Sequence, residues 1–153
     1  MNLPHLITFL PLTLAIILSP RPCPAADNVT AELTIHITGV PSPNGHLRVS
    51  LCDSESGYAH DRGTHIGESL SAQKGKNTLT LEDIEPGIYA VKVFHDTNDN
   101  RKLDKSGFLK IPTESYGFSN NPPARFGPPS WHKAKFEIPP GKSEITIKLI
   151  VKD

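Results

Sequence analysis

The chain has 153 residues, with 16 Lys and Arg against 16 Asp and Glu and a pI near 7.1. Such a balance, without a basic stripe, excludes the electrostatic footprint of a nucleic-acid binder. Only two cysteines, Cys23 and Cys52, exclude a disulfide scaffold.

Residues 6–18 (LITFLPLTLAIIL) form an apolar run, followed by the small and proline-rich Ser19–Ala26. The run is short for a bilayer span, which needs roughly 20 residues, and it fits the apolar region of an export signal. The n-region lacks Lys and Arg, which is off-pattern for a signal; the alternative is an uncleaved anchor. The expectation is a signal peptide over 1–26 and one secreted or periplasmic domain over 27–153, not membrane-spanning. Cys52 is then the sole cysteine of the mature domain and has no internal disulfide partner.

From Thr30 the pattern has period two. Leu33, Ile35 and Ile37 alternate with polar residues, and Leu47, Val49 and Leu51 do so again after the turn cluster Gly39–Gly45. These two runs read as strands joined in a hairpin with a longer loop. On this alternation Cys52 shares the polar face with Arg48 and Ser50, which would leave it accessible. Residues 53–76 are polar and aperiodic and read as a long loop, with a short helical turn around Glu68–Ala72. A third strand runs over Thr78–Ile84, and the Glu85-Pro86-Gly87 turn introduces a fourth over Ile88–His95. On this fourth strand Tyr89, Val91, Val93 and His95 share one face, and Lys92 marks the other as wetter.

The next stretch carries the chemistry. In His95-Asp-Thr-Asn-Asp-Asn-Arg-Lys-Leu-Asp104, oxygen-bearing side chains fall at Asp96, Asn98, Asn100 and Asp104. This is the 1, 3, 5, 9 spacing of a calcium loop, and the backbone carbonyl of Lys102 fills the seventh position. Two carboxylates and two amides give little ligand charge, so calcium would bind weakly, at about 10⁻⁴–10⁻³ M. Asn and Asp are also common in turns that satisfy their own backbone, so a loop held by its own hydrogen bonds is the competing account. His95 and Glu114 stand beside the loop as supports or additional ligands.

Phe108–Ile111 reads as a short strand. Residues 114–129 hold four prolines and read as an ordered irregular loop. Its aromatics Tyr116, Phe118 and Phe126, with Trp131, either pin the loop to the body or form a partner surface for a protein or glycan of the envelope or exterior. Ser119 lies outside any Gly-x-Ser-x-Gly elbow. Ile145, Ile147, Leu149 and Val151 form the last strand. About seven short strands without a convincing helix predict an all-β, antiparallel β-sandwich.

The Ile84-Glu-Pro-Gly-Ile-Tyr entry to a strand resembles that of prealbumin-like and carboxypeptidase-regulatory-like sandwiches. The wider combination is His95-Asp-Thr-Asn-Asp-Asn100, Lys102-Leu-Asp104, Ile111-Pro112, Glu114, Tyr116-Gly-Phe-Ser-Asn-Asn121 and Gly127-Pro-Pro129. It resembles the DUF2141 family of exported bacterial proteins, whose role is not assigned. That family usually carries Gly where this chain has Arg101, and a calcium loop uses Gly there for positive φ. Two readings follow: a non-catalytic exported module whose loop is stiffened by calcium or by its own hydrogen bonds, or a metal-assisted hydrolase centred on His95 and Asp96. The second needs at least three ligands around one open position.

Overall fold

The structure, a computed structural model, describes residues 29–60, 66–124 and 127–150. The expected signal segment, Phe126 and His65 lie outside the described residues.

Three sheets organise the chain. The first holds β1 (Ala31–Val40) between β4 (Gly75–Ile84) and β10 (Gly141–Lys148). The second runs β3 (Ile66–Ser71), β2 (His46–Cys52), β5 (Gly87–Asp96), β8 (Tyr116–Phe118), and β9 (Phe136–Ile138) pairs with the start of β5. The third is a small hairpin of β6 (Lys105–Ser106) and β7 (Ile111–Pro112). Leu33, Ile35, Ile37 and Ile147 of the first sheet and Leu47, Leu51, Val91 and Ile138 of the second are fully buried in one core. Period-two alternation aims these side chains between the layers, and their removal from water is the main force holding the sandwich closed. The all-β sandwich expected from the strand pattern is the architecture found.

Several expectations are overturned in detail. β1 and β2 do not pair: the Gly39–Gly45 connection carries the chain from one sheet to the other. Both strands show one apolar face, and that pattern is the same for a hairpin within a sheet and for strands facing each other across a core. β1 pairs instead with β4, and with β10 in parallel. The expected helical turn around 68–72 is β3, an edge strand whose polar alternation reflects one-sided pairing. Two short helices were not expected, α1 (Glu55–Ala59) and α2 (Trp131–Ala134). The first is capped by Ser54 Oγ, which accepts from Gly57 N at 3.2 Å. Phe108–Lys110 is a turn rather than a strand, with only Ile111 of that stretch in β7, and Tyr116–Phe118 is a strand inside the stretch expected to be irregular.

The outer face of the second sheet carries a second apolar cluster. Cys52, Tyr58, Ala90, Tyr116, Phe118, Trp131 and Ala134 are buried there, and Phe94 and Leu103 pack against them. Ring centroids lie 5.9 Å apart for Tyr58–Trp131 and 5.8 Å for Tyr116–Phe118, both edge-to-face. Helices α1 and α2 supply Tyr58 and Trp131, which explains why so short a pair of helices is kept: they roof the aromatic floor. Cys52 is therefore buried, not accessible as its place on the polar face suggested.

Candidate functional site

Strand β5 runs straight into the Asp96 loop, so its last two residues are fixed by the sheet. Asp96 is fully buried, and both of its oxygens are occupied. Oδ1 accepts from Asn100 N at 3.0 Å; Oδ2 accepts from Arg101 N and from Arg48 Nε, each at 2.9 Å. Burial pushes the carboxyl's pKa up, but these hydrogen bonds and the Arg48 charge outweigh it and hold it below the usual value. Arg48 also reaches Ser69 Oγ at 2.9 Å and Asp99 Oδ1 at 3.4 Å, and His46 Nδ1 meets the same Asp99 oxygen. The neighbouring strand β2 thus grips the loop through two side chains.

The remaining loop residues turn inward on one another. Asn98 Oδ1 accepts from Asn100 N at 3.2 Å, and Asn100 Oδ1 accepts from Lys102 N at 2.8 Å. Asp104 receives the amide groups of Asn98 and Asn100, at 2.8 and 2.9 Å, one on each oxygen. The five expected ligand positions therefore belong to one tight loop, with Asn98, Asn100 and Asp104 in direct contact. Arg101 has φ 62°, the left-handed conformation for which calcium loops use glycine.

Glu114 is the loop's second anchor. Its Oε1 accepts from Thr97 N at 2.9 Å and from Thr97 Oγ1 at 3.2 Å, and its Oε2 accepts from Asp104 N at 3.0 Å. One buried carboxylate thus ties both ends of the loop. His95 is fully buried, and its Nε2 donates to the Asn44 carbonyl at 2.7 Å, so that nitrogen carries the proton. Its Nδ1 is buried without a hydrogen-bond partner.

Among the described residues the hydrolase arrangement is not assembled. His95 has spent one nitrogen on Asn44, and Asp96 has spent both oxygens on donors, one of them a guanidinium. Among the described residues no group of three or more His, Cys, Asp and Glu could hold a metal ion. His60 caps the end of α1 with Nδ1 against the Ser56 carbonyl, and His132 is exposed on α2. Neither supplies the second imidazole that the chemistry needs.

Beside the loop lies a groove of about 990 Å³ over the outer face of the second sheet. Its floor is the aromatic cluster, and its walls are α1, α2, residues 101–103 of the loop and Lys105 of β6. Tyr116, Phe118 and Trp131 are 7, 7 and 8% exposed, so they do not form the projecting surface that their types suggested. They pack on one another and present only edges to the groove. Lys92 reaches across this floor: its ammonium donates to the Tyr58 carbonyl at 3.0 Å and lies 5.5 Å from the Tyr58 ring centroid. Arg48, Lys92, Arg101, Lys102 and Lys105 line the groove against two acids, Glu55 and Glu68. The sequence did not point to Arg48 and His46 as partners of the loop, which they meet at Asp96 and Asp99; an Arg in mid-strand on the polar face was the one available signal.

The family model described as an uncharacterized protein conserved in bacteria (DUF2141) matches residues 35–146, which takes in the loop, the groove and nearly every strand. The chain belongs to the DUF2141 family. This DUF2141 protein matches no curated protein and no solved structure, and the prealbumin-like resemblance has no neighbour that bears it out. Among its described residues no helix is long and apolar enough to cross a membrane.

Proposed function

We propose that this DUF2141 protein is an exported, non-catalytic β-sandwich module, secreted or periplasmic, that holds a partner of the envelope or exterior in the groove. The observation that carries the reading is the groove itself: an aromatic floor under a mainly cationic rim, beside a loop braced at both ends. Glycans and extended peptides suit such a floor, because flat rings stack on sugar or side-chain faces while the rim addresses their polar groups. In this reading the Asp96–Asp104 loop also accepts calcium weakly, with Asp96, Asn98, Asn100, Asp104 and the Lys102 carbonyl as ligands. The left-handed Arg101 supports it, since that turn aims alternate side chains inward. A calcium ion would replace the amide donors that now face Asp104 and the Asn100 N that now faces Asp96 Oδ1, leaving Oδ2 with Arg48 and Arg101 N.

The test is thermal unfolding in chelator, then across a calcium titration with magnesium and zinc as controls. Asp104→Ala is the informative variant, because Asp96 is also part of a buried ion pair and its loss unsettles the fold. At a hundred times its dissociation constant calcium should add roughly 2.7 kcal/mol, lost in Asp104→Ala. No rise with calcium removes the ion from the reading and leaves the loop held by its own hydrogen bonds. The groove is tested separately. Trp131 is the sole tryptophan and lines it, so titration with envelope glycans or peptides should shift its emission. Emission unchanged across the panel sinks the partner assignment.

A further inference from the structure

The hairpin β6–β7 ends in a turn closed by Lys110 N donating to the Gly107 carbonyl at 3.2 Å. Its two central residues are Phe108 and Leu109, which are 99 and 77% exposed, and Ile111 on the return strand is 49% exposed. Gly107 takes φ +70°, and no atom lies within 4 Å of where its Cβ would be. The chain therefore spends a tight turn on holding an aromatic and an aliphatic side chain out in water. A hairpin of this size is not stable alone. It is held at its base, where Thr113 N donates to the Asp104 carbonyl at 2.8 Å and Glu114 fixes Asp104 N. The result is a braced finger rather than a loose loop.

The finger's charge is one-sided. Residues 101–110 contain four cations, Arg101, Lys102, Lys105 and Lys110, and one acid, Asp104, whose oxygens are taken by Asn98 and Asn100. All four cations are exposed and make no ion pair with a described residue. The apolar tip is also small. An aromatic side chain covers about 150–250 Å², so three apolar side chains fall well short of the roughly 800 Å² per partner of a specific protein interface. A bilayer surface needs no such area: an apolar tip enters the headgroup–acyl boundary while a cationic collar meets the lipid phosphates.

We propose that the Gly107–Lys110 tip is a membrane-docking finger, which seats Phe108 and Leu109 in an anionic phospholipid bilayer with Arg101, Lys102, Lys105 and Lys110 at the headgroups. The apolar tip, Gly107–Lys110, lies outside the groove lining, while Arg101, Lys102 and Lys105 of the collar also line the groove and the Lys102 carbonyl is a proposed calcium ligand.

The test uses the full chain carrying Phe108→Trp, in chelator, with phosphatidylcholine vesicles with and without phosphatidylglycerol. Because the native Trp131 is buried, the new indole reports the tip. Its emission should shift to the blue and be quenched by brominated acyl chains, only when phosphatidylglycerol is present. Each of Lys105→Ala and Lys110→Ala should weaken binding about fivefold at low salt. Leu109→Asp should weaken it about tenfold or more. Vesicle binding without any change at the tip indole overturns the proposal, since another segment then holds the chain. So does a complete lack of vesicle binding. A blue shift that grows with protein concentration in the absence of lipid also overturns it, in favour of a second copy covering the tip.

Discussion

Arg48 Nε lies 2.9 Å from Asp96 Oδ2, and the Asp96 side chain is fully buried while the Arg48 side chain is 21% exposed. The pair joins the middle of one strand to the first residue of the loop, so its strength sets how firmly the loop is held. Removing one partner strands a buried charge, which costs about 3–5 kcal/mol, and the partial exposure of Arg48 favours the lower end. Arg48→Ala should lose about 3 kcal/mol in urea unfolding. A loss below about 1 kcal/mol would mean that the two backbone donors alone sustain the carboxylate.

The same pair gives a pH dependence. The folded pKa of Asp96 lies below its unfolded value, so the folded state prefers the charged form. Its contribution is present in full above the unfolded pKa, about 3.9, and is lost as pH falls through the folded pKa. Unfolding free energy measured from neutral pH into acid should fall less steeply in Asp96→Asn than in the native chain. Equal slopes would show that other carboxylates govern acid unfolding.

Gly45 sits against the start of the loop with φ +68°. A Cβ there would lie 2.0 Å from the Asp96 carbonyl oxygen and 2.9 Å from Thr97 Cα, both backbone atoms. Gly45→Ala therefore combines a strained φ with a clash that no side-chain rotation relieves, and should cost more than about 3 kcal/mol. Calorimetry is the check; a melting temperature within a degree or two of the native value would show that the 41–45 turn can move aside.

Arg101 holds φ 62° without glycine's freedom. The left-handed conformation costs an ordinary residue roughly 1–2 kcal/mol, of which glycine's extra unfolded-state entropy returns about 0.5–1. Arg101→Gly should stabilise the domain by up to about 1 kcal/mol and tighten calcium binding where the ion binds. Destabilisation would indicate that the guanidinium makes its own contribution at the groove rim.

Ser119 is a structural staple. Its Oγ accepts from Val91 N at 2.9 Å and donates to the Ala134 carbonyl at 2.6 Å, joining β5 to α2 beneath the aromatic floor. Ser119→Ala leaves a buried N–H unsatisfied and should cost about 1–3 kcal/mol. A neutral result, read by denaturant titration, would require water to replace the hydroxyl.

The sandwich was legible because a half-buried strand must alternate, and Leu33–Ile37, Leu47–Leu51 and Val91–Val93 do so without exception. Pairing was not legible, because alternation reports which face is buried and not which neighbour supplies the hydrogen bonds. That is why the β1–β2 hairpin failed and why the edge strand β3, apolar only at Ile66 and Leu70, passed for loop. At the site, the inward-facing oxygens of Asn98, Asn100 and Asp104 follow from turn spacing and were expected. Arg48 and Glu114, roughly fifty residues behind and ten ahead of the loop's ends, act through tertiary approach. Glu114 was suspected from its place beside the loop, whereas Arg48 carried no spacing that tied it to Asp96. The buried aromatics had two readings, and only the packing of Tyr58 from α1 against Trp131 from α2 separates them.

The parallel pairing of β1 with β10 sets an order of events for the growing chain. Strand β1 is the centre of its sheet, yet one of its neighbours, β10, is the last strand among the described residues, with Ala31 opposite Gly141 and Thr38 opposite Lys148. Until residues 141–148 arrive, one whole edge of β1 presents open backbone donors and acceptors. The first sheet is thus finished only after residues 141–148 are made, and the closing of this long-range pair is a slow step by its topology. A chain cut short before Gly141 would keep that edge exposed, which makes truncated products the form most prone to strand-to-strand aggregation.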